Sequence, residues 1–394
     1  MNSRPTSLLD FVGNCTQLLL LGEGDFSFAL QLASQLTSTA READKPSCVI
    51  VATSFDDAAT VRALYTQASA NIGYLLSLGV EVLHEVDATD VAASLQRARH
   101  SGEPHGAESL LPCTFDRVIF NFPQHAERRK VQKQRELLQE MFRSGAAVLA
   151  DQGQYLVTLK RGQGGTLLDN DGHAFDMLTE RTSSVRPYKP RKSADSWCLQ
   201  EQAAEAGFIL VAVRAVPIES LQYTPKGRRG GDRPFHCDGA VMHVLEMEAV
   251  PVKGIAAFPL RYAFLIQLFC WGCLVESHPT SVLASTGSEA VEKECANDAS
   301  VAEAFFAAQC TQICDAGVAI SFAAATEWSE HKRPRFQRKF EITVSSASRA
   351  LTRSHAIRLA SQIRRNCFER FVRSAPSDAV RSEVEVEMPD AVGI

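Results

Sequence analysis

The chain has 394 residues, of which 45% are hydrophobic and 22% charged, and its formal net charge is −5. This length is sufficient for two domains with a core in each, and the composition excludes a wholly disordered or fibrous protein. Because a small negative net charge creates no global attraction for a polyanion, any contact with nucleic acid must depend on local clusters of basic residues.

The first part of the chain alternates short β-rich runs with helical hydrophobic periods, which is typical of βαβ units on a parallel sheet. After the second strand a single helix is predicted, with Val61, Leu64 and Ala68 among the residues at helical spacing. Strands are predicted at 17–21, 48–53, 80–86, 115–120, 154–159, 208–216 and 240–247, and further helices after Asp25, at 134–149 and at 196–206. The predicted fold class is α/β, a Rossmann-like, doubly wound, mostly parallel sheet, whose ligands belong at the carboxyl ends of the strands.

Beyond residue 250 the pattern changes to that of a smaller α+β domain. The run at 258–269 fits a strand, although a helix is also compatible with it. With that strand, the order is βαββαβ, the ferredoxin-like arrangement. The later elements are predicted as helix 301–314, strands 318–323 and 336–344, helix 352–371 and strand 382–388. We therefore predict two domains, 1–250 and 251–394.

The sequence gives no sign of export, of membrane insertion or of a metal site. Residues 1–15 lack the charged and apolar regions of a signal peptide, and the apolar run at 262–275 is too short for a membrane span. The 11 cysteines are scattered, which indicates reduced thiols in a cytosolic or nuclear compartment. The closest pairs lack the glycines usual around zinc, so no metal is expected; these pairs are Cys270/Cys273 and Cys310/Cys314.

Three clusters of basic residues are candidates for contacts with phosphate, with a solvated loop as the alternative for each. They are Lys189, Arg191 and Lys192; Lys226, Arg228, Arg229 and Arg233; and Lys332, Arg333, Arg335, Arg338 and Lys339.

The first strand runs into a Gly-x-Gly turn and then a helix. Gly22 and Gly24 allow the backbone to approach a ligand that a Cβ would block. Ser27 stands where a dinucleotide fingerprint has its third glycine. This departure favours a cofactor without a pyrophosphate over a nicotinamide dinucleotide, and makes an oxidoreductase the least favoured enzyme class.

Acidic residues follow the next two strands. Asp56 is placed to accept hydrogen bonds from ribose hydroxyls, whereas the alternative for its neighbour Asp57 is helix N-capping. Asp87 is placed to receive an adenine amino group, with an ordinary Asx turn as the alternative.

The fourth strand ends in Asn121, Phe122 and Pro123, followed by Gln124 and His125. This order resembles the Asn-Pro-Pro-Tyr loop of nucleobase N-methyltransferases, in which amide and carbonyl groups bond the base edge while a ring and a proline grip its faces. A plain turn is the alternative. Methyl transfer requires mainly alignment, and loss of a proton from the base could be assisted by His125 or Lys160.

Taken together, these segments resemble the Rossmann-like family of large-subunit ribosomal RNA uridine-N3 methyltransferases, over residues 17–248. The matching segments are Gly22-Glu23-Gly24-Asp25-Phe26-Ser27-Phe28-Ala29, Ala52-Thr53-Ser54-Phe55-Asp56, Val86-Asp87-Ala88-Thr89, Phe115 to Pro123, and Val157-Thr158-Leu159-Lys160. The resemblance implies S-adenosylmethionine as cofactor, RNA as partner, a ribosomal RNA uridine as substrate, and a nucleolar or nuclear location, with the cytoplasm as alternative. It also implies cofactor contacts from Gly22 to Ser27 and from Asp56, Asp87 and Asn121, with Asn121, Phe122, Pro123 and Lys160 as the catalytic set.

The chain departs from the family pattern in two places. The family has histidine directly after the proline, where this chain has Gln124 with His125 one position later, and the residues after Lys160 differ as well. The first domain also resembles the front half of ferredoxin-fold anticodon-binding domain-containing proteins. Residues 338–343 and 349–352, followed by a helix, resemble the last strand and helix of their anticodon-binding module. A non-catalytic RNA- or tRNA-binding protein that retains the methyltransferase fold is therefore the alternative function.

Overall fold

The computed structural model describes most of the first part of the chain and the regular elements of the second. The chain divides into two units, Met1–Phe258 and Pro259–Ile394, and each is described by itself. The described residues are 9–13, 15–43, 48–101, 114–125, 130–166, 195–216, 218, 223–228, 230–235, 237, 239–248, 260–270, 302–313, 318–325, 336–346, 349–369 and 382–387.

The first unit is built on a seven-stranded sheet with the strand order β3-β2-β1-β4-β5-β7-β6. Its strands are β1 (Gln17–Leu21), β2 (Val49–Thr53), β3 (Glu81–Leu83), β4 (Phe115–Asn121), β5 (Leu149–Leu159), β6 (Phe208–Ala215) and β7 (Val241–Met247). The pairs from β3 to β5 are parallel, while β7 is antiparallel to both β5 and β6. The predicted fold class, an α/β doubly wound and mostly parallel sheet, is confirmed.

Helices cover this sheet and create a core on each face. They are α1 (Leu9–Val12), α2 (Ser27–Ala43), α3 (Ala58–Leu64), α4 (Ala68–Ser77), α5 (Val91–Ser101), α6 (Val131–Ala146) and α7 (Leu199–Ala204). Strand β1 contributes to both cores because successive side chains point to opposite faces. Leu18 and Leu20 pack with Phe26 and Ile50, whereas Leu19 on the other face belongs to a second cluster of buried residues.

Several predicted elements of this unit differ in detail from the structure. Strand β5 begins at Leu149 and not at 154, and α6 spans Val131–Ala146 and not 134–149. The single helix predicted after β2 is two helices, because Tyr65 adopts an extended backbone and ends α3 while its ring is buried. The third strand is shorter than predicted, since Glu85 has a positive φ of 60° that no regular strand accommodates. Helix α5 is absent from the predicted elements.

The second unit has the βαββαβ order that the sequence predicts. Its sheet has the strand order β11-β8-β10-β9, and every pair is antiparallel. The run that was compatible with strand or helix is a strand. The elements are β8 (Leu260–Cys270), helix α8 over 302–313, β9 (Val318–Ala325), β10 (Phe336–Ser346), α9 (Arg353–Phe368) and β11 (Ser382–Glu387). A buried aromatic cluster, in which Phe306 stacks on Phe340 at 4.1 Å, joins α8 to the sheet.

No helix in the described ranges is long and apolar enough to cross a bilayer. Within the same ranges, no group of three or more potential metal ligands comes together. Cys273 and Cys314 of the pairs considered for zinc lie outside the described residues.

Candidate functional site

An open cleft of about 770 Å³ lies at the carboxyl ends of strands β1 to β5. The strands end there because parallel strands present their carboxyl ends at one edge of the sheet, where ligands of this fold class bind. Of the predicted site residues, the cleft is lined by Gly22, Glu23, Gly24, Asp56, Asp87, Asn121, Phe122, Pro123 and Lys160.

Gly22 makes the turn after β1 possible. Its φ is +67°, a conformation that favours glycine, and a Cβ placed there would lie 2.4 Å from Cε2 of Phe120. At Gly24 a Cβ would lie 3.2 Å from the hydroxyl of Tyr65. The two glycines therefore let the turn pack closely against the side chains of Phe120 and Tyr65.

Asp25, Phe26 and Ser27 are not among the residues that line the cleft. Oδ1 of Asp25 accepts hydrogen bonds from the backbone N–H and the hydroxyl of Ser27 at the start of α2. The ring of Phe26 is fully buried in the core, next to His84. The structure thus places these three residues in the support of the turn.

Glu23 is a buried carboxyl group at the edge of the cleft, with 8% of its surface exposed. Its Oε2 accepts a hydrogen bond from the backbone N–H of Ala29 in α2. Burial raises its pKa to about 8, because the low-dielectric surroundings disfavour the charged form. This group is therefore largely protonated at neutral pH.

Asp56 lies just beyond β2, and both of its carboxylate oxygens are engaged. Nε of Arg228 donates to Oδ2 at 2.9 Å, and Nη2 lies 2.6 Å from Oδ1. The guanidinium also lies over the ring of Phe55, 5.2 Å from its centre. The neighbouring Asp57 caps α3 through the hydrogen bonds it accepts from Thr60. These bonds lower its pKa.

Asp87 follows β3 and forms an Asx turn. Its Oδ1 accepts two hydrogen bonds from Thr89, one from the backbone N–H and one from the hydroxyl, each at 2.8 Å. Its Oδ2 accepts no hydrogen bond from the described residues, so the turn leaves one oxygen for a ligand.

The side chain of Asn121 has a fixed orientation at the end of β4. The hydroxyl of Thr158, on the neighbouring strand β5, donates to its Oδ1 at 2.7 Å. Its Nδ2 is buried and has no hydrogen-bond partner among the described residues. The amide at the floor of the cleft is therefore an unsatisfied donor.

The residues after Asn121 form the aromatic part of the cleft. Phe122 adopts a positive φ of 52°, a strained conformation for a residue with a side chain. Its ring packs edge to face against Phe235, 5.0 Å between centres. Gln124 and His125 also line the cleft, and the backbone N–H of His125 donates to Gln134 of α6. Lys160, half-buried, lies beyond β5.

Residues 19–225 match the family model described as rRNA (uridine-N3-)-methyltransferase BTM5-like. The chain belongs to this BMT5-like family. The mouse ferredoxin-fold anticodon-binding domain-containing protein 1 homolog is 35% identical over 230 residues, which are 58% of this chain and 30% of the mouse protein. The human ferredoxin-fold anticodon-binding domain-containing protein 1 is 32% identical over 240 residues, 60% of this chain and 32% of the human protein. The match thus spans about a third of the length of these relatives.

Among solved structures, TrmN from Thermus thermophilus is 16% identical with a TM-score of 0.31, over 61% of this chain and 47% of that protein. A likeness of this size carries no information about function.

The site of this BMT5-like chain includes residues that motif analysis misses. Tyr223, Gly227 and Phe235 belong to the β6–β7 connection, and Trp197 precedes α7. Strand direction could have located them. Because β6 runs parallel to β5, the segment that follows β6 begins at the edge of the sheet where the cleft lies. The sequence pattern around Arg228 predicts only a phosphate contact or a solvated loop.

Only some residues of the three basic clusters are among the described residues. Lys226, Arg228 and Arg233 line the cleft. Arg229, the cluster at 189–192 and residues 332–335 lie outside the described residues, as do the side chains of Arg338 and Lys339.

Proposed function

We propose that this chain is an S-adenosylmethionine-dependent methyltransferase that acts on N3 of a uridine in large-subunit ribosomal RNA. The observation that supports it most directly is the Asn121 amide, whose Oδ1 accepts from Thr158 while Nδ2 is left as a donor at the floor of the cleft.

This donor suits one kind of base edge. N3 of uracil lies between two carbonyl oxygens, both of them acceptors, so an amide N–H₂ next to the reacting nitrogen can hold the base by either carbonyl. A target exocyclic amino group, as in adenine or cytosine, needs an acceptor instead. Because Oδ1 of Asn121 already accepts from Thr158 while Nδ2 has no partner among the described residues, the unsatisfied group of this amide is a donor, which favours the uracil edge.

The cleft also has the features that the cofactor requires. Gly22 and Gly24 form the tight turn after β1, and Oδ2 of Asp87 is open to an adenine amino group. Asp56 follows β2 at the position for ribose hydroxyls and is paired with Arg228 in the structure. When bound, S-adenosylmethionine supplies an electrophilic methyl group on a sulfonium. The protein's own contribution is alignment of the base with that group and exclusion of water.

The remaining lining residues have roles under this proposal. Phe122 and Phe235 contact the faces of the base, as aromatic rings do with unstacked bases in RNA. The ammonium of Lys160 stabilises the negative charge that spreads to the base carbonyls as N3 loses its proton. For such a target we propose a nucleolar or nuclear location, with the cytoplasm as the alternative.

The test is calorimetric titration with S-adenosylhomocysteine, followed by transfer of a labelled methyl group to ribosomal RNA. Wild-type protein should bind with a micromolar or lower Kd. Asp56→Asn should weaken binding about tenfold or more, because it removes the charged acceptor for the ribose hydroxyls. Asp57→Asn is the matched control, since it removes the adjacent charge and retains a capping side chain.

Equal affinities for the two variants and wild-type would show that the ribose position is wrong. No saturable binding by wild-type protein would exclude the methyltransferase function.

The second candidate is a non-catalytic RNA- or tRNA-binding protein. The observation that favours it is the ferredoxin-like βαββαβ order of the second unit, together with relatives named for a ferredoxin-fold anticodon-binding domain. Tight binding of S-adenosylhomocysteine without methyl transfer to ribosomal or transfer RNA would support this candidate against the first.

A further inference from the structure

Arg228 lies where the ribose of the cofactor is expected. Its guanidinium bonds both oxygens of Asp56, at 2.9 and 2.6 Å. A carboxylate that binds a ribose diol uses both oxygens as acceptors, and here Arg228 covers both while only 11% of the Asp56 side chain is exposed. The arginine and the ribose therefore compete for Asp56.

The segment that carries Arg228 is anchored independently of this contact. The backbones of Lys226 and Pro234 form a bridge, and Nζ of Lys226 pairs with Asp25 at 2.9 Å and with Asp232 at 3.1 Å. Asp232 also accepts from the backbone N–H of Thr66. Loss of the Arg228 contact would leave these bonds in place.

The Arg228 side chain is exposed enough to bind another group when it is released from Asp56. Its side chain is 45% exposed, whereas Asp56 is only 11% exposed. A guanidinium matches a phosphate with the same two-pronged geometry as a carboxylate. Arg233 lies on the same segment and is exposed, so the freed group would join a positive surface at the mouth of the cleft.

We propose that the cofactor's ribose displaces Arg228 from Asp56 and that the freed guanidinium then binds a backbone phosphate of the RNA. This inference depends on the proposed function. Because the cofactor binds Asp56 and the RNA binds Arg228, each ligand separates the pair and favours binding of the other.

The experiment measures S-adenosylhomocysteine affinity by calorimetry and the affinity for a single-stranded uridine-containing RNA by fluorescence anisotropy. Arg228→Ala should bind S-adenosylhomocysteine about three- to tenfold more tightly, since a competing partly exposed ion pair is removed. In wild-type protein S-adenosylhomocysteine should tighten RNA binding, and this gain in RNA affinity should vanish in Arg228→Ala. Arg233→Ala is the matched control, because it removes the same charge without touching Asp56.

Each outcome is distinct. If Arg228→Ala binds S-adenosylhomocysteine with weaker or unchanged affinity, the proposed displacement of Arg228 is wrong. This holds even if the Asp56→Asn result supports the cofactor site. A gain in RNA affinity that persists in Arg228→Ala but disappears in Arg233→Ala would assign the phosphate contact to Arg233. If wild-type protein does not bind S-adenosylhomocysteine, both this inference and the proposed function are wrong.

A second, independent observation concerns Cys15 and Cys48. They precede β1 and β2, which are adjacent and parallel, and the backbone N–H of Val49 donates to the carbonyl of Thr16. This register brings the two Sγ atoms to 3.4 Å, and both side chains are partly exposed. The pair lies at the amino ends of the strands, and the cleft lies at their carboxyl ends.

The surroundings make one of these thiols the reactive one. The hydrogen bond with Cys48 and the charge of Arg117 lower the pKa of Cys15, and they outweigh burial and the charge of Asp116, which raise it. Burial raises the pKa of Cys198, and that of Cys367 to about 12. A thiolate is the nucleophilic form, so Cys15 should react before these others.

We infer that Cys15 and Cys48 form a dithiol that a peroxide oxidises to a disulfide. The Cys15 thiolate attacks one oxygen of hydrogen peroxide, which gives a sulfenic acid and hydroxide. The Cys48 thiol then attacks the Cys15 sulfur, and the sulfenic oxygen leaves as water once the thiol proton is transferred. Two electrons pass from the thiols to the peroxide in total.

Mass spectrometry after treatment with one equivalent of hydrogen peroxide tests this. Wild-type protein should lose two hydrogens and give a cross-linked peptide pair containing residues 15 and 48. Cys48→Ser should instead accumulate a sulfenic acid that a dione reagent traps, and Cys15→Ser should give neither product. Cross-links among other cysteines, or equal trapping in both variants, would overturn the inference.

Discussion

At the scale of single residues, Thr158 determines what Asn121 presents to a ligand. Its hydroxyl holds Oδ1, and Nδ2 is buried without a hydrogen-bond partner among the described residues, on a residue that lines the cleft. Asn121→Asp replaces this donor by an acceptor of the same shape. We expect turnover to fall about ten- to hundredfold, the cost of one buried hydrogen bond in the transition state, at nearly constant S-adenosylhomocysteine affinity.

Thr158→Val is the companion variant, because it keeps the shape and removes the hydroxyl that orients the amide. It should lower turnover in the same direction but less. Single-turnover methyl transfer and calorimetry separate the two effects. A large loss of affinity for S-adenosylhomocysteine in Asn121→Asp would mean that the amide contacts the cofactor instead of the base.

Glu23 should make stability depend on pH. Its ordinary pKa is 4.5 and its pKa in the folded chain is about 8, so between these values the folded state holds a proton that the unfolded state has released. Stability from the neutral carboxyl is therefore complete below pH 4.5, falls as the pH rises and reaches its minimum above pH 8.

Glu23→Gln cannot ionise and should lose this dependence. The Tm of the variant minus that of wild-type protein should be larger at pH 8 than at pH 5, as measured by scanning calorimetry at both values. A difference that is the same at both pH values would show that the buried carboxyl is not the titrating group.

At the scale of elements, the β1–α2 turn depends on Gly22. An alanine there would adopt an unfavourable positive φ, at a cost of about 1–2 kcal/mol, and its methyl group would clash with Phe120. Gly22→Ala should therefore lower the free energy of unfolding by more than this and weaken S-adenosylhomocysteine binding. Chemical denaturation and calorimetry measure the two effects.

Gly73→Ala is the matched control for the turn. Gly73 lies inside α4, and apart from its chain neighbours and the backbone of its own helix, nothing lies within 4 Å of the position its Cβ would take. The same substitution should stabilise the protein there by about 0.5–1 kcal/mol, because alanine favours a helix more than glycine does. Equal effects at the two positions would refute the role of the turn conformation.

At the scale of the whole molecule, the second unit has a core of its own. Phe306 is fully buried and stacks on Phe340, while its neighbour Phe305 is only partly buried. Phe306→Ala should lower the free energy of unfolding of this unit by about 3–5 kcal/mol, and Phe305→Ala by clearly less. Hydrogen exchange of the β10 amides measures both, and similar losses would contradict the assigned helix face.

The sequence by itself determined most of the architecture. Alternating and helical periods predicted the parallel sheet and the βαββαβ order, because burial of one face imposes those periods on the chain. Composition and motif order also placed Gly22, Asp56, Asp87 and Asn121 at strand ends, where the structure brings them to one cleft. These properties are local, and local patterns record them.

Only the tertiary structure decided how the site residues are engaged. The pairing of Arg228 with Asp56 joins residues 172 positions apart, and Thr158 reaches Asn121 across 37. Likewise, the break between α3 and α4 follows from burial of the Tyr65 ring, and Phe26 belongs to the core because α2 folds back onto the sheet. Such contacts depend on packing between distant segments, which hydrophobic period and motif spacing do not encode.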